Sequence, residues 1–442
     1  MHRMVGCRTV LGRMSVIGWA PVCLACLVSV IALPAVASAS FGRAIVTSGR
    51  GTSAVESPSM SYTGTLFGFT WLPSDHLVFE RVGFRGPLGA PVMLPGLNGN
   101  ALFATVPLAG NRAAVLYTVR PGVRVRITVL SASGLVLRSR TFNGEMAEDF
   151  NERQLAPESN GGALAVFLSP NGKRLLAVSI SPKGVIAPNA LSVPGSDSEA
   201  NFFSTTSEPS SHPAILWTSF SRTGESLMFS RLLGPNKWSS PQSVLPPGDT
   251  IVYGDGTISA AADGSLAIGW FNTTSTQRRS ITVQPMLRLV GADGTLGPTV
   301  GFGLARRGNT GGYLDMAVHA LSSGGALGFY AHGRSVIGAT ISATGTLVRS
   351  ETIADNTPHV QLSIAGNGTS AVLAIWSIGR RANWYYVTRV RPDRASAVQL
   401  LARGVGSAGA GGSPWVAMNP RGAAAVTWGT SFGGGRAAFE SA

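Results

Sequence analysis

The feature that most constrains this chain is a repeat. The segment RGAAAVTW, Arg421 to Trp428, joins a turn, an apolar strand and a closing aromatic, and looser copies recur along the sequence. They are GTLFGFTW ending at Trp71, GNRAAVLY at Tyr117, GGALAVF at Phe167, SHPAILW at Trp217, DGSLAIGW at Trp270, GGALGFY at Tyr330 and GTSAVLAIW at Trp376. The eight closing aromatics are 46 to 60 residues apart. Such a chain does not fold around one core, because each unit has an apolar face that only a neighbouring unit can cover.

Each period divides into four short strands, the second ending in the aromatic. In the second repeat these are Ala101 to Pro107, Ala113 to Val119, Val123 to Leu130 and Leu135 to Thr141. The turn before the fourth strand recurs as Ser133-Gly134, Lys183-Gly184, Asp293-Gly294 and Thr344-Gly345, a glycine where a hairpin needs positive φ. The fourth repeat departs, with Gly234 to Lys237 and then Trp238. First strands are rich in small residues, as in Ser259-Ala260-Ala261-Ala262 and Trp415-Val416-Ala417-Met418, which suits a crowded axis.

Four-stranded units of this length resemble the blades of a β-propeller, and the resemblance is to the architecture of secreted bacterial propeller repeat proteins. It implies an all-β, eight-bladed ring over residues 40–442, or seven blades if the 60-residue interval hides a broken one. The closing aromatics then belong between blades, not on a sugar-stacking surface. No Trp is followed by the Asp of WD-type repeats, and Gly161-Gly162 and Gly324-Gly325 precede the second strand where kelch-type glycines follow it. SPNGKRLLAV, Ser169 to Val178, is similar to strand starts of TolB-like propellers and occurs once. After Trp428 only 14 residues remain, enough for a third strand near Arg436 to Glu440. Phe41 to Thr47 is a spare strand that would complete that blade and remove its open edge.

Residues 1–39 have another character: Arg3, Arg8 and Arg13, an apolar run from Val16 to Leu33, then Ala37 and Ala39 at small-x-small spacing. This reads as a secretory signal peptide cleaved after Ala39, with a retained anchor as the rival, and implies a secreted or cell-surface protein. Cys7, Cys23 and Cys26 all lie in it, so the mature chain has no disulfide, thiolate metal site or cysteine nucleophile. The whole chain carries a formal +14; without the three leader arginines the value is +11, which favours anionic partners.

No catalytic constellation stands out. His76, His212, His319, His332 and His359 lack metal-ligand spacing and read as surface or turn residues, with Asp315 and His332 paired across a hairpin. Glu145, Glu148, Asp149 and Glu152 read as a solvated loop and lack the alternation of an EF-hand. No G-x-S-x-G elbow or phosphate-cradling glycine loop appears beside a strand and helix, and no cofactor, metal or specific nucleic acid is expected. The informative pattern is positional. Loops joining second and third strands carry Arg120 and Arg124, Lys173 and Arg174, Arg222, Arg278 and Arg279, Arg334, Arg380 and Arg381, and Arg436. They share a face with the connections between blades, which hold Glu145 to Glu152, Asp197, Glu199, Asp249 and Asp355. Arg124, Arg174, Arg222, Arg278, Arg279, Arg334, Arg380, Arg381 and Arg436 are the candidate anion-binding residues. The expectation is a monomeric, non-catalytic recognition or scaffold module for a polar or anionic cell-wall polymer, a glycan or a protein. A polysaccharide-degrading hydrolase or lyase is the alternative.

Overall fold

The computed structural model describes residues 41, 44–46, 56–71, 77–96, 102–119, 123–146, 154–197, 200–206, 208–221, 224–247, 256–277, 280–303, 305–307, 315–357, 360–378, 382–405, 414–429 and 435–440. The expected signal peptide lies outside them. Eight antiparallel sheets follow one another in chain order, the first seven built from successive strands, A to D, and together they form the ring of a β-propeller. Blade 2 shows the plan: Phe103–Leu108, Arg112–Thr118, Arg124–Leu130 and Val136–Asn143. Blade 1 has strands A to C at Glu56–Met60, Leu66–Trp71 and Leu77–Gly83, and blade 3 at Leu155–Pro157, Ala163–Leu168 and Leu175–Ile180. The D strands of both are two residues long.

There are eight blades, not seven. The long interval before Tyr330 is filled by an extended hairpin in blade 5, Leu266–Gln277 against Ser280–Val290, and by an added strand, Ala305–Arg307. The irregular fourth repeat turns tightly at Pro235–Asn236, where Asn236 takes φ +60, and Leu232 and Gly234 pair with Trp238 and Lys237.

The apolar residues form eight clusters, each shared between two neighbouring blades. The core therefore lies in the seams. Tyr117, Phe167, Trp217, Trp270, Tyr330, Trp376 and Trp428 are all buried there, as their recurrence predicts; the Trp71 side chain lies outside the description. Truncating such a ring to alanine costs about 3–5 kcal/mol.

The last blade is completed from the other end of the chain. Strands Trp415–Met418, Ala424–Gly429 and Gly435–Glu440 are joined by Ile45–Val46, with Ile45 opposite Ala437 and Val46 opposite Arg436. Just before it, the Phe41 N–H donates to Gln399 Oε1 at 3.0 Å, and its carbonyl accepts from Gln399 Nε2 at 3.1 Å. A side-chain amide thus takes the place of a neighbouring strand, and the buried Phe41 ring joins Trp376, Tyr385 and Trp428.

A–B and C–D turns lie on one face, B–C loops and blade connections on the other. Many turns of the first face share a four-residue plan in which a serine hydroxyl accepts an N–H four residues on and glycine holds positive φ. Ser131 to Leu135 at 3.0 Å and Ser342 to Thr346 at 3.1 Å are examples. The glycine is required for a second reason: a Cβ on Gly134 would lie 2.9 Å from Val92, on Gly184 2.8 Å from Val129, and on Gly345 2.4 Å from Pro298. In each case the turn rests on the blade before it.

Candidate functional site

Two populations stand out among the described arginines. In the first, guanidinium groups reach from one blade to backbone carbonyls of the next. Arg81 donates to Ala132 at 2.6 Å, Arg112 to Lys183 at 3.1 Å, and Arg349 to Asp393. Arg231, itself buried, binds Gly264, Gly291 and Ala292 of blade 5 at 3.0, 3.0 and 2.8 Å. Arg389 goes furthest, pairing bidentately with Glu440 (Nε at 3.0 and 3.1 Å, Nη2 at 2.8 Å) while Nη1 reaches Ser370 and Nη2 also reaches Gly422. Both partners are buried, and breaking such a pair costs about 3–5 kcal/mol because the remaining charge is stranded. Sequence spacing does not reveal this use of arginine, since most of the acceptors are backbone carbonyls or residues one blade away.

The second population sits at B–C corners. Arg124 begins the third strand of blade 2 and is exposed, as are Arg174 in blade 3 and Arg334 in blade 6. Arg174 is paired with Asp197 of the following connection at 2.9 Å, both side chains being more than half exposed. In blade 6, Asp355 is held below the usual carboxylate range first by the Ser335 hydroxyl, then by the Asn356 N–H, with the Arg334 charge contributing. Two of these corners thus set an arginine beside an acid of the same blade, and exposed pairs of this kind contribute little to stability. Arg436 is different: it is half-buried inside the third strand of blade 8, opposite Trp428 and Val46. Arg222, Arg278, Arg279, Arg380 and Arg381 lie outside the described residues, as do His76, Glu148, Asp149, Glu152, Glu199, Asp249 and His359.

One histidine contradicts the expectation of a surface role. His319, at the end of the first strand of blade 6, is wholly buried in a polar cluster drawn from four blades. Its Nε2 accepts the Gly368 N–H at 3.3 Å, which places the proton on Nδ1. Nδ1 lies 3.3 Å from Glu208 Oε1 and 3.4 Å from Ser259 Oγ, and Ser259 Oγ accepts the Ala320 N–H at 2.9 Å. Ser, His and Glu meet, yet not as a nucleophile relay, which needs serine and acid on opposite ring nitrogens and an accessible hydroxyl. Here both contact Nδ1, and Ser259 is buried. The cluster stitches blades together. Gly366 faces it, and a Cβ there would lie 2.2 Å from the imidazole.

The expected Asp315–His332 pairing is replaced by another contact. Register sets Met316 against Tyr330, so His332 is not opposite Asp315; the Asp315 carboxylate instead accepts the Leu362 N–H of blade 7 at 2.6 Å, and His332 is exposed. Among the described residues no group of three or more His, Asp and Glu could hold a metal ion, and no helix is long and apolar enough to cross a membrane.

No family model matches the chain, and no curated protein matches it. Solved structures do. The Dos1 propeller superposes with a TM-score of 0.51 over 90% of this chain and 94% of its own, at 8% identity. The polysaccharide lyase Uly1 gives 0.43 over 90% and 99%, at 10% identity. Prolyl oligopeptidase B from Galerina marginata gives 0.46 over 86% of this chain and 56% of its own, at 12% identity. At these identities the likeness extends to the propeller fold alone.

Proposed function

We propose that this propeller is an exported, non-catalytic recognition or scaffold module of the bacterial surface or wall, whose B–C face binds a polar or anionic polymer. The observation that carries the reading is the division among the arginines. Those within seams use their N–H groups on neighbouring blades, whereas Arg124, Arg174 and Arg334 stand exposed at corners of one face, in blades 2, 3 and 6. Export rests on the leader-like N-terminal sequence. The wide spacing of B–C corners around a ring suits a long polymer that touches several blades better than a small molecule in one cleft. An enzyme would need converging catalytic groups, and the Ser259–His319–Glu208 cluster is buried and wrongly arranged for acyl transfer.

The test is retention of the purified domain on an array of glycans and cell-wall polymers. Replacing Arg124, Arg174 and Arg334 together with Gln should weaken retention at least about tenfold, and retention should fall with added salt, which screens exposed charges beyond about 8–10 Å. Replacing Arg138, Arg391 and Arg394, which are exposed on D strands and C–D turns, should matter less. Equal losses from both sets would reduce the effect to net charge and end the site hypothesis.

A further inference from the structure

Blade 1 differs from its neighbours in what its turns present on the A–B and C–D face. Its A–B turn carries Tyr62, 55% exposed, and its C–D turn carries Phe84, 45% exposed. Among the described turns of this face no other carries an exposed Phe, Tyr or Trp, since Trp238 in the C–D connection of blade 4 is partly buried. The Phe84 ring lies against the turn that carries Tyr62, at Gly64, where a Cβ would lie 2.7 Å from Phe84 Cε2. Phe84 also leans on Phe439 of blade 8, ring centroids 5.0 Å apart. From blade 8, the guanidinium carbon of Arg421 sits 4.0 Å from the centroid of the Tyr62 ring.

The arrangement is held from below. The buried Asn419 side chain donates to the Ser61 and Tyr62 carbonyls at 3.3 and 3.2 Å, fixing the turn to blade 8. Gly64 takes φ +88, a conformation that lets the turn pass beneath Phe84. Glu440, the acid of the adjacent strand, is buried and neutralised by Arg389, so it does not compete for Arg421.

We propose that Tyr62, Phe84 and Arg421 form a binding platform for a uronate-bearing glycan at the junction of blades 8 and 1. Pyranose C–H faces pack on exposed aromatic rings, and a carboxylate accepts paired N–H bonds from a guanidinium whose plane is already set by stacking. Exposed Arg85 in the same turn adds positive charge. An extended peptide is a poorer match, since it needs a groove or an open strand edge and this place is a turn surface. The proposal is independent of the B–C arginines, which lie on the opposite face.

The experiment measures binding of polygalacturonate, hyaluronate and neutral dextran to the purified protein by affinity electrophoresis, with melting temperatures in parallel. Wild-type protein should bind at least one uronate polymer and not dextran. Combined Tyr62→Ala and Phe84→Ala should weaken binding about tenfold or more, and Arg421→Gln, at an exposed position, covers the case in which the alanine pair loosens the junction. Tyr62→Phe keeps the ring and should retain binding. Arg421→Lys should not restore it, because charge without the planar fork is insufficient. Replacing Arg138, Arg391 and Arg394 with Gln, exposed arginines that belong to neither candidate site, should leave uronate binding as in wild type, which separates the platform from net charge. Silence toward both uronate polymers, full binding by stably folded platform variants, or full rescue by lysine would each overturn the proposal.

Discussion

Single residues in this ring are burdened by what they lack. Glu80, in the third strand of blade 1, is buried and has one carboxylate oxygen without a hydrogen-bond partner. Burial pushes its pKa up, with a partial offset from the Thr70 hydroxyl. A carboxyl raised in this way holds its proton more tightly when folded, so the fold is favoured at low pH and loses stability as pH rises through the raised value. Glu80→Gln should therefore stabilise the protein at pH 7 by on the order of 1–3 kcal/mol. The gain should vanish near pH 4, where wild type is protonated too; melting curves across that range would show it, and a gain independent of pH would refute the assignment to charge. Burial of Glu80 was half legible, because alternation in LVFERVG puts it on the face of Val78 and Val82. His319 was not legible. Glu208 and Ser259, the side chains that satisfy it, come from 111 and 60 residues away, and no local pattern encodes such a meeting.

At the scale of the element, the turns show how two demands on one glycine are separated. Gly333 and Gly345 both take positive φ, +63 and +75, but a Cβ at Gly333 meets nothing within 4 Å while one at Gly345 would strike Pro298 of the preceding blade. Gly333→Ala should cost only the backbone strain, about 1 kcal/mol. Gly345→Ala should cost at least about 1–3 kcal/mol more, as overpacking does. Chemical denaturation of the two variants compares them, and equal losses would mean that the contact between blades relaxes freely. The turn positions themselves were readable from the recurring glycine, because positive φ is a local requirement. Their seating was not, because the sequence gives no sign of which neighbour a turn touches. The same gap hid the arginine ties: Arg231 and Arg389 lie towards the ends of third strands, and only the assembled seam supplies most of their acceptors.

For the whole molecule, the count of blades and their strand plan followed from a period of eight aromatic strands, whereas the extended hairpin of blade 5 disguised itself as irregular spacing. Closure supplies a further prediction. Gln399→Ala removes both bonds to Phe41 and should lower stability by about 1–2 kcal/mol, while removal of residues 40–48 should bare the edge of Gly435–Glu440 and cause aggregation or a larger fall in melting temperature. An unchanged melting temperature in the deletion would show that the ring does not depend on this pairing. The leaning of turns such as those at Gly134, Gly184 and Gly345 on the blade before them has a consequence for how the ring is made. A blade emerging from synthesis finds its seat already built by its predecessor, so assembly can advance in the order of translation without waiting for later sequence. Only the final step is different in kind, since Phe41 and Gln399 are separated by 358 positions. That step joins the most distant contacts of the chain, and it is the one expected to limit the rate of folding.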